Sequence, residues 1–125
     1  MSLCVRVFLV TANGEMQVLD NPEGCDDSGG FEDWRSRVWG SEAVRSLGAR
    51  LLPVLIDADL YVLPQGVEAF LRECLMLREN LERVVAGTEP VRTVAEHRSA
   101  IERRLANLEA AARRALAQGG GVLVW

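Results

Sequence analysis

The sequence predicts an α+β protein: a small antiparallel sheet, made of an N-terminal hairpin plus a C-terminal strand, packed against a long antiparallel two-helix hairpin. Three observations carry this. Asn13-Gly14 separates two apolar runs, Leu3–Val10 and Met16–Leu19, and an Asn-Gly pair in that setting favours a tight hairpin turn. Apolar residues recur at three- and four-residue steps over two long stretches in the second half of the chain. After Gly119-Gly120-Gly121, the chain runs Val122-Leu123-Val124-Trp125, and a strand docked beside the hairpin would bury those side chains.

The elements follow in order. Strands are expected at about 3–11 and 15–20. Residues 20–33 are rich in Pro, Gly, Asn and Asp and are expected to form a loop. Ser41 is a good N-cap for a short helix running to about Leu47, before Gly48. Residues 51–56 are apolar, but Pro53 disfavours both a helix interior and a central strand, so a short helix and a strand both remain open. Residues 57–63 read as a short extended stretch ending at Pro64. A single helix is then expected from Pro64 or Gln65 to about Ala86, with Val67, Phe70, Cys74, Leu77, Leu81 and Val84 on its apolar face. Gly87 stops it. Thr93 and Glu96 have the spacing of a capping box. The second helix then carries Val94, Ile101, Leu105, Leu108, Ala112 and Ala115 on one stripe and ends at Gly119.

A chain of 125 residues with 49% hydrophobic content has the size of one domain. It can bury a core without help from disulfides or a structural metal. Cys4, Cys25 and Cys74 share no metal-type spacing. Together with an N-terminus that lacks the features of a signal peptide, they predict reduced thiols and a cytoplasmic location. No apolar run is long enough for a transmembrane helix.

All 14 basic residues are Arg, and the net charge is −4. No basic face of the kind that neutralises phosphates is evident, which argues against nucleic acid as a partner. The negative charge is concentrated: seven carboxylates fall between Glu15 and Asp33 with no base among them. From Asp20, Gly24 falls at position five and Phe31 at position twelve, so the Ca²⁺ loop of an EF-hand is not matched. The acidic segment instead suggests a surface for a basic partner protein. Asp20, Glu23, Asp26, Asp27, Glu32 and Asp33 would supply charge, and Phe31, Trp34 and Trp39 apolar anchors.

Asp57-Ala58-Asp59 places two carboxylates two residues apart, and on an extended segment both would point the same way and could hold Mg²⁺. With Trp39-Gly40-Ser41 upstream, this resembles the nucleotidyltransferase pattern of polymerase-β-like enzymes, a Gly-Ser turn followed by Asp-x-Asp on a strand. The resemblance covers about residues 39–62. It implies that Gly40-Ser41 would contact a triphosphate and that Asp57 and Asp59 would bind metal. The gap from Ser41 to Asp57 is longer than that family usually has, and an acidic loop rather than a helix precedes the Gly-Ser pair.

The remaining polar residues read as ordinary. His97 is the only histidine and would need Cys74 and an orienting group to act in catalysis. Arg98, Arg103, Arg104, Arg113 and Arg114, interleaved with Glu102 and Glu109, read as a solvated helix face. Gly119–Gly121 lacks the Lys and following helix of a phosphate loop. The expected function is therefore that of a small acidic module acting by contact on a basic protein, as immunity proteins and antitoxins do, with no cofactor. The alternative is an Mg²⁺-dependent nucleotidyltransferase-like enzyme. A homodimer through the helical hairpin is a further expectation.

Overall fold

A computed structural model describes residues 2–125. Strand β1 (Ser2–Val10) turns Leu3, Val5 and Val7 inward, the period-2 burial of a half-covered strand. It forms the predicted hairpin with β2 (Met16–Val18), pairing Phe8 with Val18 and Val10 with Met16. Gly14 adopts φ +80° in the turn, a conformation that L side chains resist.

The stretch expected to be an unbroken loop contains a third strand, β3 (Ser28–Phe31), which pairs antiparallel with β1 at Ser2–Cys4. Its glycines serve close approach rather than flexibility. Gly29 lies against Leu3 and Val124, and a Cβ at Gly30, where φ is +114°, would enter the Trp34 ring. A single wide helical turn follows at Arg35–Trp39. Helix α1 (Glu42–Ser46) is capped by Ser41, whose hydroxyl accepts the Val44 N–H at 3.2 Å.

Residues Leu52–Ile56 settle as a 3₁₀ helix with Pro53 in its first turn, where a missing N–H costs nothing. Its opening amides are capped from a distance. The Glu73 carboxylate accepts the backbone N–H groups of Arg50, Leu51 and Leu52 at 2.7–3.2 Å. Strand β4 (Leu60–Val62) is short and lies at an edge of the sheet.

The first long helix is divided. After a 3₁₀ turn at Pro64–Gly66, α2 spans Val67–Glu79 and α3 spans Leu81–Ala86. Asn80 separates them with φ −108° and ψ 26°, and its side-chain amide donates to the Met76 carbonyl at 2.9 Å. A short polar side chain that bonds nearby backbone competes with helix continuation, which accounts for the break in the expected single helix. Helix α4 (Val94–Gln118) is as predicted. Thr93 Oγ1 accepts the Glu96 N–H at 3.0 Å, and Gly119 ends the helix in the left-handed region at φ +69°.

Strand β5 (Gly121–Val124) does more than edge the hairpin. It lies between β1 and β4, pairing Val5 with Val124 and Leu60 with Val124. Cys4 pairs with both Ser28 and Trp125, so β3 and β5 occupy opposite edges of β1. Phe8 pairs with both Val18 and Gly121, so β2 lies on the same edge as β3. The result is a five-stranded antiparallel sheet with helices on one face. Val67, Phe70, Cys74 and Leu77 of α2 meet Ile101, Leu105, Leu108, Ala112 and Ala115 of α4 in the core beneath it. Alanines on α4 let the helix approach the sheet closely. Exposed apolar side chains include Val10, Met16, Val18 and Tyr61 on the strands. No helix among the described residues is long and apolar enough to cross a membrane.

Candidate functional site

The structure gives most of the acidic segment's carboxylates partners within this chain. Four of its six candidate carboxylates are tied to arginines of this chain. Asp27 meets Arg6 at 3.5 Å, Glu32 meets Arg35 at 2.6 Å, Asp33 meets Arg37, and Asp26 lies 3.9 Å from Arg103. The Ser28 backbone N–H, and after it the Asn107 amide, hold Asp26 below the usual carboxylate range. These acids fasten the β3 segment to β1, the wide turn and α4. Asp20 and Glu23 carry no such ties and face solvent.

The apolar anchors are corrected as well. Trp39 is fully buried, with its indole N–H donating to the Gly29 carbonyl at 2.8 Å, and Trp34 is buried beside it. Neither indole is free to enter a partner's surface, because both complete the core under β3. Phe31 remains, half exposed. The three rings form an edge-to-face series, Phe31 to Trp34 at 5.8 Å and Trp34 to Trp39 at 5.6 Å, leading from the surface into the core.

The metal pair of the nucleotidyltransferase resemblance does not assemble. Asp57 caps the end of the 3₁₀ helix, and Asp59 precedes β4, so the two carboxylates do not share a strand face. Asp59 accepts from Arg35 Nη2 at 2.8 Å, while Arg35 Nη1 donates to the carbonyls of Leu55 and Ala58. The Arg35 guanidinium thus already neutralises Asp59. Ser41 is buried and spends its hydroxyl on Val38 and Val44. Gly40 is packed under Ile56. No cluster of three or more metal-type ligands occurs among the described residues.

A more pronounced concavity lies elsewhere. A cleft of about 670 Å³ opens between the Phe31–Arg37 segment, the stretch before α4, and the first half of α4. Its volume falls within the range of ligand sites. Arg37, Arg92, Arg103 and Arg104 line it against only two acids, Asp33 and Glu96. The central group is Arg104. Its residue is 8% exposed, and its guanidinium lies 5.4 Å from the Phe31 ring and 5.6 Å from the Trp34 ring. Arg104 Nε donates to Ser28 Oγ at 3.2 Å, and Nη1 reaches the Ala100 carbonyl at 3.5 Å. No carboxylate forms an ion pair with it among the described residues. Burial, then the neighbouring Arg103 charge, lowers its pKa.

His97 lies two turns earlier on the same face. Its Nε2 is 2.7 Å from Thr88 Oγ1, and that hydroxyl also donates to the Val84 carbonyl at 2.8 Å. A hydroxyl has one proton, so Nε2 is the donor to Thr88, and Nδ1 carries the lone pair. Burial, and then Arg37, depresses the imidazole's pKa and favours this neutral form. Its partner is Thr88 rather than Cys74, whose thiol is pushed far up by burial.

Arg104 and His97, read from sequence as ordinary helix-face residues, are therefore both buried. Their spacing held the signal: 97, 101, 104 and 108 lie three or four apart, on the stripe that carries Ile101 and Leu108. Of the nine residues expected to meet a partner, Phe31, Asp33 and Trp34 line the cleft.

No protein-family model matches the chain, and no curated protein or solved structure shows significant similarity to it.

Proposed function

We propose that this chain is a binding module that acts by contact on another protein, with the Phe31–Arg104 cleft as its contact face. One observation carries the reading: Arg104 is mostly buried beside two aromatic rings, and no carboxylate among the described residues lies within ion-pair distance of it, Asp26 acting on it only from farther away. A desolvated charge is costly unless paired, and perturbed groups of this kind gather at functional sites. Half-exposed Phe31 and well-exposed Val91 add an apolar rim, and aromatic and Arg groups dominate binding energetics at protein interfaces. The carboxylates of residues 26–33 act in this reading as internal ties that shape the cleft wall. An inhibitor of the immunity or antitoxin type would work by such contact.

The test is affinity capture from the source cell's lysate with three forms of the chain: wild type, Phe31→Ala/Arg104→Gln, and Asp20→Asn/Glu23→Gln. A partner retained by wild type and by the acidic-loop variant, and lost by the cleft variant, supports the proposal. Loss with the acidic-loop variant alone would move the contact face to Asp20 and Glu23. Capture of nothing by any form would remove the contact reading.

A further inference from the structure

We infer that the cleft is a carboxylate-receiving pocket, in which Arg104 takes an acidic group of the partner protein; this rests on the contact reading above. The donor inventory points to a missing acceptor. A guanidinium has five N–H donors, yet Arg104 uses Nε on Ser28 Oγ and touches only the Ala100 carbonyl, at 3.5 Å, through Nη1. The Nη1/Nη2 edge is thus the under-used end of the fork. The Phe31 and Trp34 rings beside the guanidinium fix its orientation, which lowers the entropy lost when a planar anion docks.

The surrounding charges choose the anion. Arg37 is engaged by Asp33 and by the Glu89 carbonyl. Arg103 is largely exposed, 3.9 Å from Asp26. Arg92 stands at the rim. Asp26 acts on Arg104 from beyond ion-pair distance, and a mostly buried guanidinium whose free edge still opens to the cleft matches a planar monoanion held bidentately. A phosphate dianion would face Asp33 and Glu96 on the same walls. The start of α4, the other natural seat for phosphate, already holds Thr93 on an amide and Glu96 in the first turn. Phe31 and Val91 at the rim would receive an apolar residue neighbouring the acid.

The experiment uses the full chain, labelled with ¹⁵N. It follows the Arg104 Nε–H and Trp34 indole N–H resonances during titration with sodium acetate or sodium phosphate, at constant ionic strength in chloride. The expected result is a saturable shift of both resonances with acetate, weakened at least about tenfold for the Trp34 signal in Arg104→Gln, as loss of a charged hydrogen bond requires. Because Arg104→Gln could disturb the fold, Phe31→Ala at the exposed rim provides a second variant, expected to weaken the acetate response while leaving the remaining spectrum in place. No saturable shift, an equal shift in Arg104→Gln, or a response to phosphate without acetate would each overturn the inference. The two proposals fail separately. Loss of partner capture in the cleft variant with no acetate response leaves the contact face standing without the carboxylate pocket. An acetate response with no partner captured does the reverse.

Discussion

Glu73 offers a stringent test of how the first half of the chain is held to the helices. Its carboxylate accepts three consecutive backbone N–H groups, from Arg50 at 2.7 Å, Leu51 at 3.0 Å and Leu52 at 2.8 Å. These are the orphan amides at the start of a 3₁₀ helix whose own sequence offers no Ser, Thr, Asp or Asn to cap it. In Glu73→Ala, the exposed Arg50 amide is re-solvated at small cost, while the Leu51 and Leu52 amides are partly buried. With about 1–2 kcal/mol for each partly buried donor left unmet, the expected destabilisation is about 2–4 kcal/mol. For a chain of this size that corresponds to a fall in Tm of roughly 6–20 °C. Glu73→Gln keeps one acceptor oxygen and should lose about half as much. Urea unfolding measures both variants, and the midpoint should move while the slope stays constant. A Glu73→Ala shift below about 0.5 kcal/mol would show that water caps these amides equally well, and would refute the assignment.

Other outcomes follow from the same structure. Since His97 holds its proton less tightly folded than unfolded, the unfolded chain binds more protons as pH falls through about 6.5. Stability should therefore drop between pH 7.5 and 5.5, and His97→Gln should remove part of that drop; an equal pH dependence in both proteins would contradict the buried neutral imidazole. Native-state alkylation should modify Cys25 first and spare Cys74, because burial raises the Cys74 thiol far above its ordinary value. Equal labelling of the two would show that the α2–α4 packing opens readily. Nucleoside triphosphate with Mg²⁺ should leave Tm unchanged, given Arg35 on Asp59. A rise in Tm abolished by Asp57→Asn would restore the nucleotidyltransferase reading.

What could be read in advance was whatever depends on neighbours in sequence. The Asn13-Gly14 turn, the Ser41 and Thr93 caps, the left-handed Gly119 and the apolar stripe of α4 are all local rules, and the structure contains each of them. What escaped depends on contacts made across the fold. Gly29 and Gly30 read as loop because glycine usually marks one, yet they form a strand through pairing with distant β1, and at Gly30 the Trp34 ring leaves no room for a side chain. Gly87 does end its helix, as its sequence position predicts, but through packing rather than a left-handed conformation: its φ is ordinary, and a Cβ there would strike Ala43. The acidic segment looked unpaired because its arginine partners, Arg6, Arg35, Arg37 and Arg103, lie outside it. Trp34 and Trp39 sit where no periodicity marks an inner face, so burial and exposure could not be separated by pattern. Asn80 lies beside an apolar stripe that continues unbroken through Leu77, Leu81 and Val84, too weak a local signal to break a predicted helix.

The position of β5 has a consequence for how the chain reaches this state. The N-terminal hairpin and the α2–α4 hairpin are built from contacts close in sequence and can form early. The middle of the sheet cannot, because β1 and β5 join opposite ends of the described chain. Closing so long a loop carries an entropic penalty that local elements do not face, and topologies dominated by distant pairings fold slowly. Until β5 arrives, the backbone edges of both β1 and β4 are open to other chains, a recognised route to aggregation. A circular permutant that joins residue 125 to residue 2 through a short linker would turn this most distant pairing into a neighbouring one.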